Sequence, residues 1–386
     1  MKWKKVKLGD CCTKIQTGPF GSQLHQSDYA DNGIPVIMPK DMDNGKISTV
    51  SIARVLSEHV ERLSRHKVKN GDIVFSRRGD VGRSAFITEK ENSWLCGTGC
   101  LKASVNDEKA HAKFVFYQLN TDASLEWFEK HAIGSTMLNL NTQILSEVPL
   151  SLPPLQTQKR IASILSAYDD LIENNQKQIK LLEEAAQRLY KEWFVDLRFP
   201  GHENVKIVDG VPEGWRLGRL DELAEFKRGK TITKDKVKRG KIPVIAGGLE
   251  PAYFHDVANT IAPVITVSAS GANAGYTALH NEDVWASDCS FVDIKATDNI
   301  YFVYNFLKMN TKMMLSLQKG SAQPHVYAKN INELMLLIST KELLWSFSRK
   351  MEAVYKSIAT KTTQISSLRE ARDRLLPKLM SGEIEV

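Results

Sequence analysis

The sequence predicts an α+β protein with pseudo-twofold symmetry, in which two duplicated domains are separated by two long helices that form an antiparallel coiled coil. Three observations predict this: short motifs recur in the same order in both halves, each half closes on a heptad pattern, and a stretch containing Pro and Gly joins the halves. At 386 residues the chain is too long for one ordinary core. We expect a first domain at 1–153, a first helix at 154–196, a linker at 197–213, a second domain at 214–341, and a second helix with the C-terminal tail at 342–386.

Four short matches carry the internal repeat, and they keep their order along the chain. The matched pairs are 8–10 with 220–222, 34–37 with 242–245, 76–79 with 268–271, and 134–136 with 320–322. The two closing segments also align at a constant offset, 179–194 with 365–380. The period is far longer than that of a solenoid, so the repeat indicates a duplicated domain and not a stacked array.

Apolar residues recur at alternating spacings of four and three in both closing segments, which is a heptad seam. In the first helix the seam residues are Ile161, Leu165, Tyr168, Ile172, Asn175, Ile179, Leu182, Ala186, Leu189 and Trp193. In the second they are Phe347, Met351, Val354, Ile358, Lys361, Ile365, Leu368, Arg372, Leu375 and Leu379. One interpretation is that each seam simply packs against the domain in its own half of the chain. We favour an intramolecular coiled coil, because about 33 residues span roughly 50 Å at 1.5 Å per residue, which exceeds a small domain.

Asn175 and Lys361 interrupt the two seams at equivalent positions. A polar residue at a seam position lowers stability and fixes register and orientation. Within the domains, apolar runs at 34–38, 72–75, 244–245 and 264–267 predict strands, and 113–119 and 301–307 predict helices.

Basic residues are concentrated locally in each domain, and the formal net charge is +7. Lys and Arg neutralise DNA phosphates, and Arg also binds guanine with two hydrogen bonds in the major groove. A charge run is more often a solvated loop, but here both domains carry one. The first-domain candidates for DNA contact are Arg65, Lys67, Arg77, Arg78 and Arg83, and the second-domain candidates are Lys227, Arg228 and Lys230. The repeat adds Ser135, Thr136, Asn139, Gln323 and His325, and Asn273 is a further candidate in the second domain.

The five cysteines are odd in number and scattered, which favours free thiols in a reducing compartment over a disulfide framework. Cys96 and Cys100 form a lone C-x-x-x-C, too few ligands for structural zinc. No apolar run follows the basic N-terminus, and none is long enough to span a bilayer. We therefore expect a cytoplasmic protein without a membrane partner.

The helical segments resemble those of the specificity subunits of type I restriction–modification enzymes. The segment LPPLQTQKRIASILSAYDDLI at 152–172 is similar to the first spacer helix of that family, and LREARDRLLPKLMSGEI at 368–384 to the end of the second. WFVD at 193–196 and PEGW at 212–215 resemble the family's boundary segments, and Gly134-Ser135-Thr136 resembles a motif of its target recognition domains. The similarity covers the whole chain.

This resemblance implies a non-catalytic role in which two target recognition domains each read half of a split, asymmetric site in double-stranded DNA. The paired helices would set the distance between the half-sites and bind two modification subunits, which methylate adenine with S-adenosylmethionine. Two restriction subunits would add an ATP-dependent nuclease and translocase. The cofactors S-adenosylmethionine, ATP and Mg would thus belong to the partners, and this chain would hold none.

The residues themselves agree that catalytic motifs are missing. An amino-methyltransferase needs an N/D-P-P-Y/F motif, whereas the tandem prolines at 153–154 are followed by Leu-Gln. Gly229-Lys230-Thr231 lacks the first Gly of a phosphate loop, because position 224 is Ala. Three alternatives remain open at this point: a type IIB specificity subunit, a divergent DNA methyltransferase or nuclease, and a helical scaffold that binds proteins without reading DNA.

Overall fold

The computed structural model describes residues 3–134, 137–320 and 323–386. The chain divides into two compact units. Unit 1 consists of Met1–Leu171 and Ser367–Val386, and unit 2 is Ile172–Ser366. Each unit contains an α+β globular part and a section of both long helices, α6 (Leu155–Phe194) and α10 (Lys341–Ser381).

Unit 1 is built around two four-stranded sheets. Its strands are β1 (Lys4–Lys7), β2 (Cys12–Thr17), β3 (Tyr29–Ala30), β4 (Ile34–Ile37), β5 (Met42–Asp43), β6 (Lys46–Ile47), β7 (Ala53–Val55), β8 (Asp72–Ser76), β9 (Ser84–Phe86), β10 (Leu95–Cys96), β11 (Cys100–Val105) and β12 (Pro149–Leu152). Its short helices are α1 (Leu8–Cys11), α2 (Ser57–Arg62), α3 (Ala112–Leu119), α4 (Asp122–His131) and α5 (Thr142–Ser146). The first sheet is antiparallel in the order β2-β11-β8-β9, and the second, β10-β4-β7-β3, pairs β10 with β4 in parallel.

Unit 2 repeats this plan. Its strands are β13 (Ile207–Val208), β14 (Val211–Pro212), β15 (Arg216–Arg219), β16 (Lys227–Arg228), β17 (Ile242–Ile245), β18 (Tyr253–His255), β19 (Val264–Ser268), β20 (Thr277–His280), β21 (Trp285–Ala286), β22 (Cys289–Asp293) and β23 (Met335–Ile338). Its short helices are α7 (Ile300–Met309), α8 (Thr311–Ser316) and α9 (Ala328–Asn332). The antiparallel sheet β16-β22-β19-β20 corresponds to β2-β11-β8-β9, and β17 pairs with β21 in parallel as β4 pairs with β10.

The predicted strands and helices of the domains are confirmed, because their apolar runs form the cores. Every residue of β8 and of β19 is buried, as expected for an inner strand covered on both faces. Helices α3 and α7 bury most of their residues against the same sheets, with Phe114 and Phe302 fully buried. The duplication read from short motifs therefore extends to the four-stranded antiparallel sheet, the parallel strand pair and the helix packed on the sheet.

The residues predicted as a linker are packed on unit 2. Strands β13 and β14 form a small antiparallel hairpin within 197–213. Phe199 is buried beside Trp215, with ring centres 5.0 Å apart, and both belong to the hydrophobic core of this unit. The segment is anchored to the unit, because the Phe199 side chain removes apolar surface from water by packing against Trp215.

The seam residues of α6 and α10 are all buried or half-buried. In contrast, Leu171 and Leu181, which lie between seam residues of α6, and Trp345, which precedes the seam of α10, are exposed. Within unit 2 the two helices are antiparallel. Asn175 Nδ2 donates to Gln364 Oε1 at 3.3 Å, and further along α6 the Trp193 ring lies 5.8 Å from Phe347, earlier in α10. The expected antiparallel pairing is thus present in this unit, and supercoiling of the pair stays a prediction.

In unit 1 an ionic network joins the globular part to the helices. The Tyr117 hydroxyl donates to Asp169 Oδ2 at 2.5 Å, and Arg372 Nη1 donates to Asp169 Oδ1 at 2.8 Å. Arg372 stands at a seam position, where its charge requires this carboxylate as a partner. Burial is the largest cause of the raised pKa of Tyr117, so this hydroxyl stays protonated and donates.

In unit 2 the equivalent junction is neutral. Asn305 is fully buried, and its Oδ1 accepts from Gln187 Nε2 at 2.7 Å and from the Tyr355 hydroxyl at 3.1 Å. Tyr355 is the residue of α10 that corresponds to Asp169 of α6. The duplicated helices have therefore kept their apolar seams while the polar contacts to the domains differ.

We predict that Asn305→Ala destabilises unit 2 by about 1–3 kcal/mol, because it leaves a buried Tyr355 hydroxyl and Gln187 amide without their acceptor. Urea unfolding followed by circular dichroism measures the change. Asn204→Ala is the control, since Asn204 is exposed and its substitution should cost less than about 0.5 kcal/mol. Equal unfolding midpoints for the two variants would contradict the importance of this network.

Candidate nucleic-acid interface

In unit 1 four loops meet at one end of the antiparallel sheet. Strands β2 and β8 are both antiparallel to β11, so their carboxyl ends lie at its amino end. We call the segments 18–23, 77–80, 97–99 and 137–139 edge 1. The Gly18 amide donates to the Cys100 carbonyl at 2.9 Å, and the Arg77 amide donates to the Gly99 carbonyl at 2.8 Å. These backbone bonds hold the loops beside one another.

Edge 1 brings together three predicted contact residues. Arg78 pairs with Asn139 in an antiparallel bridge, and the Leu140 amide donates to the Arg77 carbonyl at 2.8 Å. The Arg78 side chain is exposed, whereas Arg77 is half-buried with its guanidinium carbon 6.0 Å from the centre of the Phe20 ring. Two arginines and an amide side chain thus share one surface.

Arg83 directly precedes β9, at the same end of the sheet, but its side chain already forms an ion pair with Asp80. Its Nε donates to Asp80 Oδ2 at 2.7 Å. This ion pair is exposed, so water screens it and its strength is small. Of the three arginines predicted here, Arg78 is the one whose side chain is exposed without such a carboxylate.

Three buried polar atoms on edge 1 have no hydrogen-bond partner. They are Arg77 Nε, Thr98 Oγ1 and Asn139 Oδ1, out of five such side-chain atoms in the described part of the chain. Buried polar atoms are normally satisfied, so such a cluster indicates a place where water or a ligand supplies the missing bonds. Sequence reasoning missed Thr98 and Phe20. The sequence feature that could have indicated them is the pair of glycines around each, at 97 and 99 and at 18 and 21.

Arg65 and Lys67 are placed elsewhere, around a separate cavity of about 810 Å³. Lys67 Nζ lies 2.6 Å from Glu61 Oε1, and Arg65 Nε donates to His66 Nε2 at 2.9 Å. The cavity also contains the buried pair of Lys102 and Asp72. These two candidates therefore have partners of their own. Ser135 and Thr136 lie outside the described residues.

Unit 2 has an equivalent loop surface, held by the same backbone bonds. We call the segments 228–230, 269–273, 287–288 and 323–325 edge 2. The Gly229 amide donates to the Cys289 carbonyl at 2.8 Å, as Gly18 does to Cys100, and the Gly271 amide donates to the Pro324 carbonyl at 3.1 Å. Ser270 pairs with His325 in a bridge that corresponds to Arg78 with Asn139.

The side chains of edge 2 differ from those of edge 1. Asp288 is at its centre, where Oδ2 accepts from Ser270 Oγ at 2.5 Å and Oδ1 accepts from Arg228 Nη2 at 3.3 Å. Asn273 Nδ2 lies 3.4 Å from the Gly247 carbonyl, and Lys230 is exposed. Sequence reasoning missed Asp288, because a single carboxylate among many carries no pattern.

The remaining two candidates are Gln323, which belongs to edge 2, and Lys227, which lies next to it. Gln323 is exposed, in the segment before His325. Lys227 is exposed on β16, opposite Phe291 and one residue away from Arg228 along the strand. Two of the basic candidates of this unit, Arg228 and Lys230, are therefore on edge 2 itself, and Lys227 adjoins it.

Two buried thiols support the loops and are unsuited to catalysis. Cys100 Sγ donates to the Ile37 carbonyl at 3.3 Å, and Cys289 Sγ to the Ile245 carbonyl at 3.7 Å. Burial raises the pKa of Cys289 to about 12 and that of Cys100 well above its usual range, so both thiols are neutral. Among the described residues, no group of three His, Cys, Asp or Glu side chains is arranged to hold a metal ion.

Both edges require a glycine where two backbones cross. A Cβ on Gly18 would lie 2.0 Å from the Gly97 carbonyl oxygen, and a Cβ on Gly229 would lie 2.3 Å from that of Ser287. No heavy atom can approach so closely, so the loops would have to separate. The position of the arginines and of Asp288 therefore depends on these two glycines.

Gly18→Ala should destabilise unit 1 by about 1–3 kcal/mol through this steric overlap. Gly21→Ala is the matched control three residues away, because no atom lies within 4 Å of the Cβ position there. Both substitutions also reduce the entropy of the unfolded chain, a smaller effect of about 0.4–1 kcal/mol that acts in the same direction in both variants. Urea unfolding of the two variants should show a lower midpoint for Gly18→Ala alone, and indistinguishable midpoints would refute the crossing.

Comparison with known proteins identifies the family. The model of the Type I restriction modification DNA specificity domain matches residues 1–184 and 212–365, one copy for each half. The chain is 25% identical to the MjaIX specificity subunit of Methanocaldococcus jannaschii, over 93% of this chain and 88% of that one. It is 23% identical to the HindI specificity subunit of Haemophilus influenzae, over 99% of both chains.

A solved structure shares the fold. The S subunit of a type I restriction–modification system from M. genitalium superposes with a TM-score of 0.68 at 19% identity, and the match covers 98% of this chain and 96% of that one. No helix among the described residues has the length and apolarity to cross a bilayer. Since the family model covers most of both halves, the chain belongs to the DNA specificity family of type I restriction–modification systems.

Proposed function

We propose that this chain reads a bipartite, asymmetric site in double-stranded DNA, using edge 1 for one half-site and edge 2 for the other. The observation that carries the proposal is the equivalence of the two edges. Both are held by the same backbone bonds, and both carry exposed side chains that hydrogen-bond to bases or phosphates in protein–DNA complexes. The chain contributes recognition, and its partners contribute the chemistry.

The side chains of edge 1 suit DNA on chemical grounds. An exposed Arg such as Arg78 binds a phosphate or grips guanine O6 and N7 with two hydrogen bonds. Asn139 and Thr98 add polar atoms that lack partners within the protein. A surface of this kind gains hydrogen bonds when a base edge or an ordered water arrives, which is how specific complexes are stabilised.

The two units have separate hydrophobic cores, so each is expected to read its half-site independently of the other. The core of unit 1 includes Phe75, Leu101 and Phe114, whereas that of unit 2 includes Val267, Val292 and Phe302. Each edge is formed by loops of one unit, and the backbone bonds that hold it lie within that unit. A change in one edge therefore leaves the other intact.

Methylation and cleavage are assigned to partner subunits, as the family implies. We propose that two modification subunits with S-adenosylmethionine and two restriction subunits with ATP and Mg dock on this chain. The specificity-subunit relatives support this assignment, and the sequence has no N/D-P-P-Y/F motif for amino methylation. Purified chain alone is accordingly expected to transfer no methyl groups.

Arg78→Ala is expected to weaken DNA binding by the complex of this chain with its modification subunits. If Arg78 contacts a phosphate, the slope of log binding constant against log salt concentration falls by about one unit. If it grips a guanine, discrimination at one base pair relaxes and the slope changes less. Fluorescence anisotropy across a salt series, with a set of single-base variants of the site, separates the two.

Lys90→Ala is the control for this experiment. Lys90 is exposed and follows the carboxyl end of β9, at the end of the sheet opposite edge 1. Its substitution removes one positive charge from the same unit. Equal affinity, salt slope and base preference for Arg78→Ala and Lys90→Ala would contradict the assignment of edge 1 to DNA.

Exchanging residues 1–150 for the equivalent domain of a relative is expected to change one half of the recognised sequence. The reason is that unit 2 keeps its own core and its own edge. Methylome mapping of cells that carry the hybrid and its modification subunits reports both half-sites at once. Altered sequence in both halves would show that the two domains do not read separately.

A further inference from the structure

Asp288 is unexpected on a surface that faces DNA, and its explanation rests on the function proposed above. A carboxylate near phosphates is repelled, and it loses hydration when DNA covers it. The cost is offset only if the carboxylate finds cations and hydrogen-bond donors in the complex. One cation, Arg228, is already beside it.

The fold does not require this carboxylate. The Asp288 carbonyl accepts from the Ala269 amide, and in unit 1 the Gly99 carbonyl accepts from the Arg77 amide in the same way. Arg228 corresponds to Thr17, since each precedes the crossing glycine and pairs with the second residue of the neighbouring strand. Edge 1 thus has the same backbone without an acid, and Asp288 must serve through its side chain.

The side chain is held in one orientation and remains open to solvent. Ser270 Oγ donates to Oδ2 and Arg228 Nη2 donates to Oδ1. The Asp288 side chain is 33% exposed. Each carboxylate oxygen has about two lone-pair directions, so each retains an acceptor position after these bonds. Edge 2 therefore presents a pre-oriented acceptor, with its charge compensated.

We propose that Asp288 reads a cytosine in the half-site of unit 2 by accepting a hydrogen bond from the N4 amino group. In the major groove the base donors are the amino groups of cytosine and adenine, and carboxylates pair with cytosine N4. Ser270 and Arg228 are positioning residues: the hydroxyl fixes the rotamer, and the guanidinium lowers the cost of bringing the carboxylate to DNA. In edge 1 the residue equivalent to Ser270 is Arg78, whose guanidinium is a hydrogen-bond donor and not an acceptor.

The test begins with selection from a randomised DNA duplex library. The complex of the full chain with its modification subunits is used, with Asp288→Ala, which has no side-chain acceptor, and the control Asp298→Ala. Asp298 is exposed and follows the other end of β22. We expect the wild-type complex and the control to select cytosine at one position that Asp288→Ala no longer distinguishes. The loss of discrimination there should be roughly 5- to 100-fold, with the other positions unchanged.

A double-substitution cycle then separates base reading from a structural effect. The selected cytosine is replaced by 2-pyrimidinone, which lacks the N4 amino group. The wild type should lose affinity for this DNA, whereas Asp288→Ala should bind both duplexes with similar affinity, because the two changes remove one shared hydrogen bond. Ser270→Ala should show an intermediate loss, and thermal unfolding shows whether each variant is folded.

Two results overturn the inference. If Asp288→Ala keeps the wild-type preference at every position, the carboxylate reads no base. If the variant still loses affinity when the amino group is removed, to the same extent as wild type, the hydrogen bond comes from another residue. Failure of the wild-type complex to select any sequence is different, since it refutes the proposed function and this inference with it.

Discussion

The close crossing of two backbones at a glycine is the constraint on which both edges depend. Gly18 passes the Gly97 carbonyl and Gly229 passes that of Ser287, at distances that exclude a Cβ. The crossing places the loop that follows β2 against the loop that precedes β11 in unit 1. In unit 2 it places the loop that follows β16 against the loop that precedes β22. Without it the ends of β2, β8 and β11 would still form a sheet, but their loops would not share a surface.

A rigid backbone of this kind allows the exposed side chains to vary. The Gly79 and Gly271 amides donate to equivalent carbonyls, yet the residues beside them are Arg78 in one unit and Ser270 in the other. Because the hydrogen bonds involve backbone atoms, these side chains can be exchanged without loss of the loop geometry. The two copies of the domain can thus present different donors and acceptors, as the proposed reading of an asymmetric site requires.

Much of the fold could be predicted from the sequence, because its signals are local. The apolar runs at 72–75 and 264–267 and the heptad seams carry their own periodicity, and the structure confirms the strands and both helices. The side-chain environment of the edges was harder to predict. Asp288 and Arg228 are 60 residues apart, and nothing local links them. Lys67 and Arg78 were equally good candidates for DNA contact by charge alone. The ion pair of Lys67 with Glu61, which distinguishes them, is a contact of the folded structure.

Hydrogen–deuterium exchange of the complex of this chain with its modification subunits, with and without a DNA duplex that carries the recognised site, tests the central claim most directly. The account predicts that the site reduces amide exchange in the loops of edge 1 and edge 2 together, and that a duplex with one altered half-site reduces it on one edge alone. Protection confined to α6 and α10, with both edges exchanging as in the DNA-free complex, would contradict it.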